Sequence, residues 1–563
     1  QTDYGVDFGN YLLDHYKIEA IIDISYRLFD ALISTVIILA EKWGEGEEKG
    51  EERNNNEVLF IHVPAVEAEK LGDILSKIGD YLEGKSVTLP SWVLVNKVKQ
   101  GEIPRDKKWI SLFFLKLEEI VRVIENHTLM IKSNEWFFAS EGNSIWSIWA
   151  LQNGERPGVS PQEFFFFNSS KARTRNIPNK YLVPAITRSQ WINTFTFTGD
   201  DWRILASKDK EAFMFICHES RDQLPSSVIE YIRWGEPVCP YCNARFTQNN
   251  VDDQGYFTCA NGHRVPGNLK CITKLRETRG GGRKGGTIAS ESYSSKIRQD
   301  HGYPPFHGWY DLVGYIPTPL MAIYQAFYHP QFFLCKIPVV TYHAIIVLIP
   351  KVRVETGFMK LNPEEYKQYI SEIKTDVVLD EVELKALLAY LNSTFNWVWI
   401  EQSSRRTGGG IIALEPKTVV ERMPILNVKA IDRGDVEELA KLFDELEGEA
   451  RKLVASMSKA KKREKSEEGE IGGPKLEMIK RLRPIFRKID EKIAKILGID
   501  IDIDMLWERA WQMMERRVTG TREVVRPGAS SEDIAIRTRE RRRRRRRESG
   551  GSMKTLDEFL EAS

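Results

Sequence analysis

Three apolar strand runs with one flanking helix pattern fill the first 65 residues, and such a set cannot close a core by itself. Phe8 to Tyr16 has the spacing of a short amphipathic helix. KIEAIIDIS (Lys17 to Ser25) reads as a buried strand, and RLFDALISTVIILAEK (Arg27 to Lys42) ends in a second. Beyond a solvated, acidic and Asn-rich loop (Glu45 to Asn56), EVLFIHV (Glu57 to Val63) supplies a third. The pattern predicts the closing strands of a larger α/β sheet. The rest of that sheet is expected upstream of Gln1 or on a separate polypeptide.

At 563 residues the chain has room for three or more compact units. Its 42% hydrophobic and 10% aromatic content excludes wholesale disorder. The net charge of +1 hides segregation, because basic Arg/Gly stretches alternate with acidic helical ones. No run reaches the ~18 to 20 apolar residues of a membrane span, and no signal-peptide pattern is visible. Six cysteines, three of them clustered beside a histidine, fit a reducing compartment and a metal better than a disulfide framework. The expectation is a cytoplasmic protein with no membrane partner.

Short β-rich runs punctuated by Gly, Pro and Asn extend to about Val428, and from Asp432 the spacing turns helical with i,i+4 acid–base pairs. The fold class expected is α/β plus mixed α+β. Residues 1–65 end the first sheet and 66–428 form a β-rich domain. Within it lie a zinc-binding insertion at 236–272 and a flexible Gly/Arg loop at 276–290. A helical extension covers 429–517, and a disordered basic tail covers 518–563.

The strongest local signal is Cys239-Pro-Tyr-Cys242, followed after sixteen intervening residues by Cys259-Ala-Asn-Gly-His263. A C-x2-C turn presents two thiolates to one ion, and a C-x3-H knuckle completes a tetrahedron. Asn261-Gly262 supplies the tight turn of that knuckle. Cys271 stands in reserve if His263 points away. Four filled positions describe a closed, structural Zn2+ site.

The basic segments carry a second signal. Lys171, Arg173 and Arg175 alternate along what reads as an extended stretch, with Arg188 on the next run, so that they can track one phosphate backbone. Arg405, Arg406 and Thr407 precede Gly408, Gly409 and Gly410, whose bare backbone can approach a phosphate closely. A solvated surface charge is the alternative for each residue taken singly.

Three ordered segments carry a resemblance. AIIDIS with RLFDALISTVIILAEK is similar to the stretch after the catalytic motif of gamma-type adenine-N6 DNA methyltransferases. SSKARTRNIPNKYLVPAITRSQWI (Ser169 to Ile192) resembles a segment of their target-recognition domain, and ALLAYLNSTFNWVWIEQSSRRTGGGIIALEPKTVVERMPIL (Ala386 to Leu426) resembles its closing part. The resemblance implies that the first strands end a Rossmann-like catalytic sheet. It also implies that Phe29 packs against an adenine flipped from double-stranded DNA, in a family whose methyl donor is S-adenosylmethionine. The family has one more residue after that Phe, so the register at Phe29 shifts by one; a core Phe at a strand turn is the alternative.

The family's Gly-rich donor loop and Asn/Asp-Pro-Pro-Tyr/Phe motif are missing from this sequence. RNIPNKY has a single proline, and the glycine runs at 280–286 and 408–410 do not lie between a strand and a helix. The chain alone is therefore expected not to methylate and to need a catalytic N-terminal half or subunit. The open alternative is a non-catalytic, zinc-containing DNA-specificity subunit.

Near the end, Arg537 to Arg547, with seven consecutive arginines from Arg541, is dense enough to bind phosphates without sequence preference. Met553-Lys-Thr-Leu556-Asp-Glu-Phe559-Leu560 resembles sliding-clamp binding peptides of archaea, with Met553 in place of their leading Gln and Leu560 in place of the second aromatic.

Overall fold

Helix α1 (Asp3–His15) runs directly into strand β1 (Tyr16–Ile24), whose residues from Ala20 to Ile24 are all buried. That is what a continuous apolar run without alternation requires. β1 pairs antiparallel with β2 (Val36–Lys42) and parallel with β3 (Glu57–Val63), while β3 pairs antiparallel with β4 (Leu94–Lys99). The sheet order is β2-β1-β3-β4. The computed structural model describes residues 3–25, 36–43, 47–64, 68–106, 108–114, 116–142, 161–235, 241–242, 244, 256–266, 310, 318–355, 376–407, 410–460 and 476–519.

The acidic stretch expected as a loop holds helix α2 (Glu47–Asn55), since its Glu, Lys and Arg residues are good helix formers. Helix α3 (Ala68–Leu82) lays Leu71, Ile74 and Ile78 on one face of the sheet, against Ala20, Ile22, Ile61 and Val63. The opposite face, Ile18, Ile21, Val58 and Phe60, joins the main core with Leu12 and Leu13 of α1. Through β4 this first unit runs to Lys99, past its expected end at residue 65.

The β-rich region carries a five-stranded sheet in the order Phe137–Glu141, Ile345–Pro350, Leu320–Ile323, Phe332–Cys335, Thr196–Phe197. Beside it, Phe164 to Phe167, Phe215 and Tyr231 form a second, aromatic core. Helices Glu381–Leu391 and Thr394–Ser403 have no polar stripe, and every side chain from Ala386 to Gln402 is buried.

The stretch read as a helical extension holds the helices Arg433–Ala460, Leu476–Leu497 and Ile503–Thr519. It is not a separate lobe. Leu439, Phe486 and Trp507 share one continuous core with Trp397 and with Ile21 of the first sheet. No described helix is long and apolar enough to cross a membrane.

Candidate nucleic-acid interface and metal cluster

Arg405–Thr407 and Ile411–Ala413 pair antiparallel as the two strands of a hairpin, with Gly410 at φ +77. Only a glycine takes that left-handed position without strain. Arg405 is 67% exposed and lies 3.1 Å from Glu415. The side chains of Arg406 and Thr407, and the whole of Gly408 and Gly409, lie outside the described residues.

The stretch expected to be extended around Lys171 is instead a short helix, Ser169–Thr174, because the Asn168 side chain accepts from the Lys171 amide at 2.7 Å and caps it. The helix splits the basic set. Arg173 is exposed. Lys171 turns inward, with its ammonium 2.6 Å from the Phe166 carbonyl and 4.0 Å from the Phe167 ring centroid. Burial brings its pKa down to about 7. Arg175 stacks on Trp234 at 3.8 Å. Arg188 is exposed but pairs with Glu211 at 2.7 Å. The structure thus leaves Arg173, Arg188 and Arg405 at the surface and turns the half-buried Lys171 toward the Phe166 carbonyl and the Phe167 ring.

At the carboxyl ends of β1 and β3 lies a cluster that sequence reasoning missed. Asp23, 1% exposed, sits 2.7 Å from Nδ1 of His62, 2% exposed, its register partner across the parallel pair. Arg516, on the Ile503–Thr519 helix, donates Nε to Asp23 Oδ2 and Nη2 to Oδ1. Burial alone would raise the Asp23 carboxyl; the Arg516 charge and the hydrogen bonds of Arg516 and His62 hold it well below the usual carboxylate range. Ser25, His62, Trp92 and Arg516 line a recess of about 20 Å³, room for one water molecule. Phe29 follows Ser25 in sequence but lies outside the described residues.

The neighbouring arginine is equally committed. Arg517 and Glu401 have no exposed side-chain surface and meet at 2.7 Å. Arg517 also donates to the carbonyls of Phe327 at 2.7 Å, Tyr328 at 3.2 Å and Gly410. Arg516 lies 493 residues beyond Asp23 and Arg517 116 beyond Glu401, so no local spacing announces either pair.

The cysteine cluster forms in part as expected. Ligand atoms of Cys242, Cys259 and His263 lie within 4.8 Å of one another. The two thiol sulfurs are 3.5 Å apart, and His263 Nδ1 is 3.4 Å from Cys259 Sγ. Gly262, at φ +81, makes the tight turn between Tyr256–Thr258 and Arg264–Pro266. Burial opposes a Cys259 thiolate, but the backbone amides and side chains around it outweigh that and bring the thiol to about 6. Cys239 and Cys271 lie outside the described residues, as do the Gly/Arg loop at 276–290 and everything beyond residue 519.

No family model matches the chain. A curated relative, the type II methyltransferase M.AccI of Acinetobacter calcoaceticus, is 40% identical over 74 residues, which is 13% of this chain and 13% of that protein. The solved structure of the type IIG restriction endonuclease BpuSI is similar at 14% identity and a TM-score of 0.36, over 92% of this chain and 46% of that one. The chain thus spans 13% of the curated relative's length and 46% of the solved structure's. The chain is related over a short stretch to a type II methyltransferase.

Proposed function

We propose that this chain is the DNA-recognising, C-terminal part of an adenine-N6 DNA methyltransferase of a restriction–modification system. It acts with a catalytic half that carries the donor loop and the Asn/Asp-Pro-Pro-Tyr/Phe motif. The observation that carries the reading is the state of β2. Every described neighbour in the sheet lies to one side of it, and Val36, Ile37 and Leu39 are 45%, 37% and 36% exposed. An apolar edge strand is a template for a further strand, and soluble proteins rarely leave one bare. Phe8 and Tyr11 of α1 are also 55% and 50% exposed. A sheet that continues past β2 accounts for the bare apolar edge.

The recess at the carboxyl ends of β1 and β3 does not fit S-adenosylmethionine. The carboxyl ends of β1 and β3 are closed by Asp23, His62 and Arg516 around a one-water recess, far too small for a nucleoside. The donor therefore binds mainly to the other half, and no step on it is assigned to this chain. Structural Zn2+ does fit: Cys242, Cys259 and His263 offer three of its ligands, and Cys239 is the proposed fourth. A closed site of this kind supplies folding energy to the insertion and no chemistry.

The chain's own work is then selection and support. Arg173, Arg188, Arg405, Arg406 and the Gly408–Gly409 backbone hold phosphates of double-stranded DNA, which fixes register along the duplex. Phe29 gives an apolar face to the adenine extruded from the stack. The basic tail adds salt-sensitive affinity, and Met553 to Leu560 offers a short binding peptide to a sliding clamp.

The test is reconstitution. The purified chain should bind duplex DNA but transfer no methyl group, and activity should appear on mixing with a polypeptide that carries the donor loop and Pro-Pro motif. Methyl transfer by the chain alone would sink the split reading. Duplex binding with no activity beside any such partner would favour the specificity subunit instead.

A further inference from the structure

We infer that Arg516 and Arg517 are a positioning pair that locks the RRTGGG hairpin and the carboxyl end of the first sheet into one register. The consequence for DNA rests on the function proposed above.

Consecutive residues on a helix point about 100° apart, so adjacent arginines can serve two different bodies. Arg517 holds the hairpin directly and also the helix that leads into it. It holds Glu401, on the helix that ends at Ser403 just before the hairpin begins, and it holds the Gly410 carbonyl at the hairpin's far end. It also holds the Phe327 and Tyr328 carbonyls, which follow the strand Gln325–Ala326 that pairs with Ile412 and Ala413. Arg516 holds Asp23 with two nitrogens, and Asp23 is tied through His62 to the adjacent parallel strand. Asp23 lies six residues before Phe29 in the sequence.

A buried ion pair is not required for stability alone, since apolar residues of similar volume commonly do as well. What an arginine fork adds is direction. Its planar donors reach several acceptors in fixed geometry, and a lysine on the same stem cannot span a carboxylate and three carbonyls. The last turn of one helix is thereby a crossbar between the surface proposed to read DNA and the strand end that leads to the base-supporting segment.

The experiment is hydrogen exchange by mass spectrometry on the full chain, with duplex affinity measured across a range of salt concentrations. The variants are Arg517→Lys, Arg516→Gln and the paired Glu401→Leu/Arg517→Met, which strands no buried charge if the single substitutions fail to fold. A linked crossbar predicts ~10-fold faster exchange at both 405–413 and 20–25 for a change at either arginine, because opening one anchor frees the other. Arg517→Lys should also weaken duplex binding without changing its salt dependence, since no phosphate contact is removed.

Faster exchange only on the substituted arginine's own side would overturn the inference, because the two ties would then be independent. Wild-type exchange at the hairpin in the paired variant would overturn it equally. If the unsubstituted chain binds no duplex, the proposed function falls, while the exchange pattern still decides the pair.

Discussion

Asp490 accepts hydrogen bonds from both the backbone amide of Thr394, at 2.9 Å, and its hydroxyl, at 2.5 Å. It thereby pins the Leu476–Leu497 helix to the first turn of Thr394–Ser403. The carboxyl is wholly buried, and the charge beside it, Glu491, has the same sign. Burial pushes its pKa up from 3.8 to about 7, against the pull of the Thr394 bonds. A raised carboxyl binds its proton more tightly when folded. Its contribution is complete below about 4, the unfolded value, and is lost as pH rises through about 7. Urea unfolding across that window should show stability falling with rising pH. Asp490→Asn keeps the acceptor for the Thr394 amide, with its Nδ2 donating to the Thr394 hydroxyl instead, and should remove up to ~1.4 kcal/mol per pH unit from the slope. An unchanged slope would show that Asp490 is ionised throughout.

Glu401→Gln should behave very differently, because it strands the fully buried Arg517 guanidinium. Loss of one partner of such a pair costs ~3 to 5 kcal/mol, whereas Glu401→Leu with Arg517→Met should be close to neutral. Chemical denaturation of the three proteins checks this. A mild loss for the single variant would mean that water reaches Arg517 in solution.

These two buried pairs also mark where the sequence stops being readable. The strands at Lys17–Ser25 and Glu57–Val63 and the three C-terminal helices announce themselves, since an apolar run or a 3.6-residue period is local information. The Cys259–His263 knuckle is legible for the same reason, its ligands being set by short spacing. Lys171 was not. In sequence it is one of three alternating cations, and only the Asn168 cap turns the stretch into a helix that buries one of them. Asp23–Arg516 and Glu401–Arg517 were not legible either, because nothing near Asp23 or Glu401 names a partner hundreds of residues away or more than a hundred.

The split of the basic set predicts unequal effects on DNA. Arg173→Ala should weaken duplex binding and lower the slope of log affinity against log salt by ~0.9, as for one lost phosphate contact. Lys171→Met should leave both unchanged, because that ammonium already faces the Phe166 carbonyl and the Phe167 ring. Fluorescence anisotropy against added salt separates the two. A lowered slope for Lys171→Met would mean that its side chain turns outward on DNA.

The metal proposal makes a prediction that needs no DNA. The purified chain should hold about one zinc per molecule, and Cys242→Ser with Cys259→Ser should release it and lower the stability of the insertion by several kcal/mol. Elemental analysis of the unsubstituted chain decides first, and a zinc-free preparation that keeps the Cys259–His263 hairpin folded would end the idea. Cys239→Ser alone should weaken retention of the ion without abolishing it, as expected when three ligands of a tetrahedral set remain.

Phe29 is the one residue here assigned contact with the reacting base, and its test separates contact from packing. In the complete enzyme, Phe29→Ala should slow methyl transfer while duplex affinity stays nearly unchanged. Phosphate contacts supply most of the affinity, whereas the aromatic face acts only once the adenine has left the stack. Single-turnover transfer and equilibrium binding, measured on the same preparation, give the two numbers. Restoring bulk with Phe29→Trp should recover the rate if a flat aromatic surface is what the base needs. Equal loss of rate and affinity, with a lowered midpoint of unfolding, would make Phe29 a core residue at the end of β1 and leave the extruded base to be supported elsewhere.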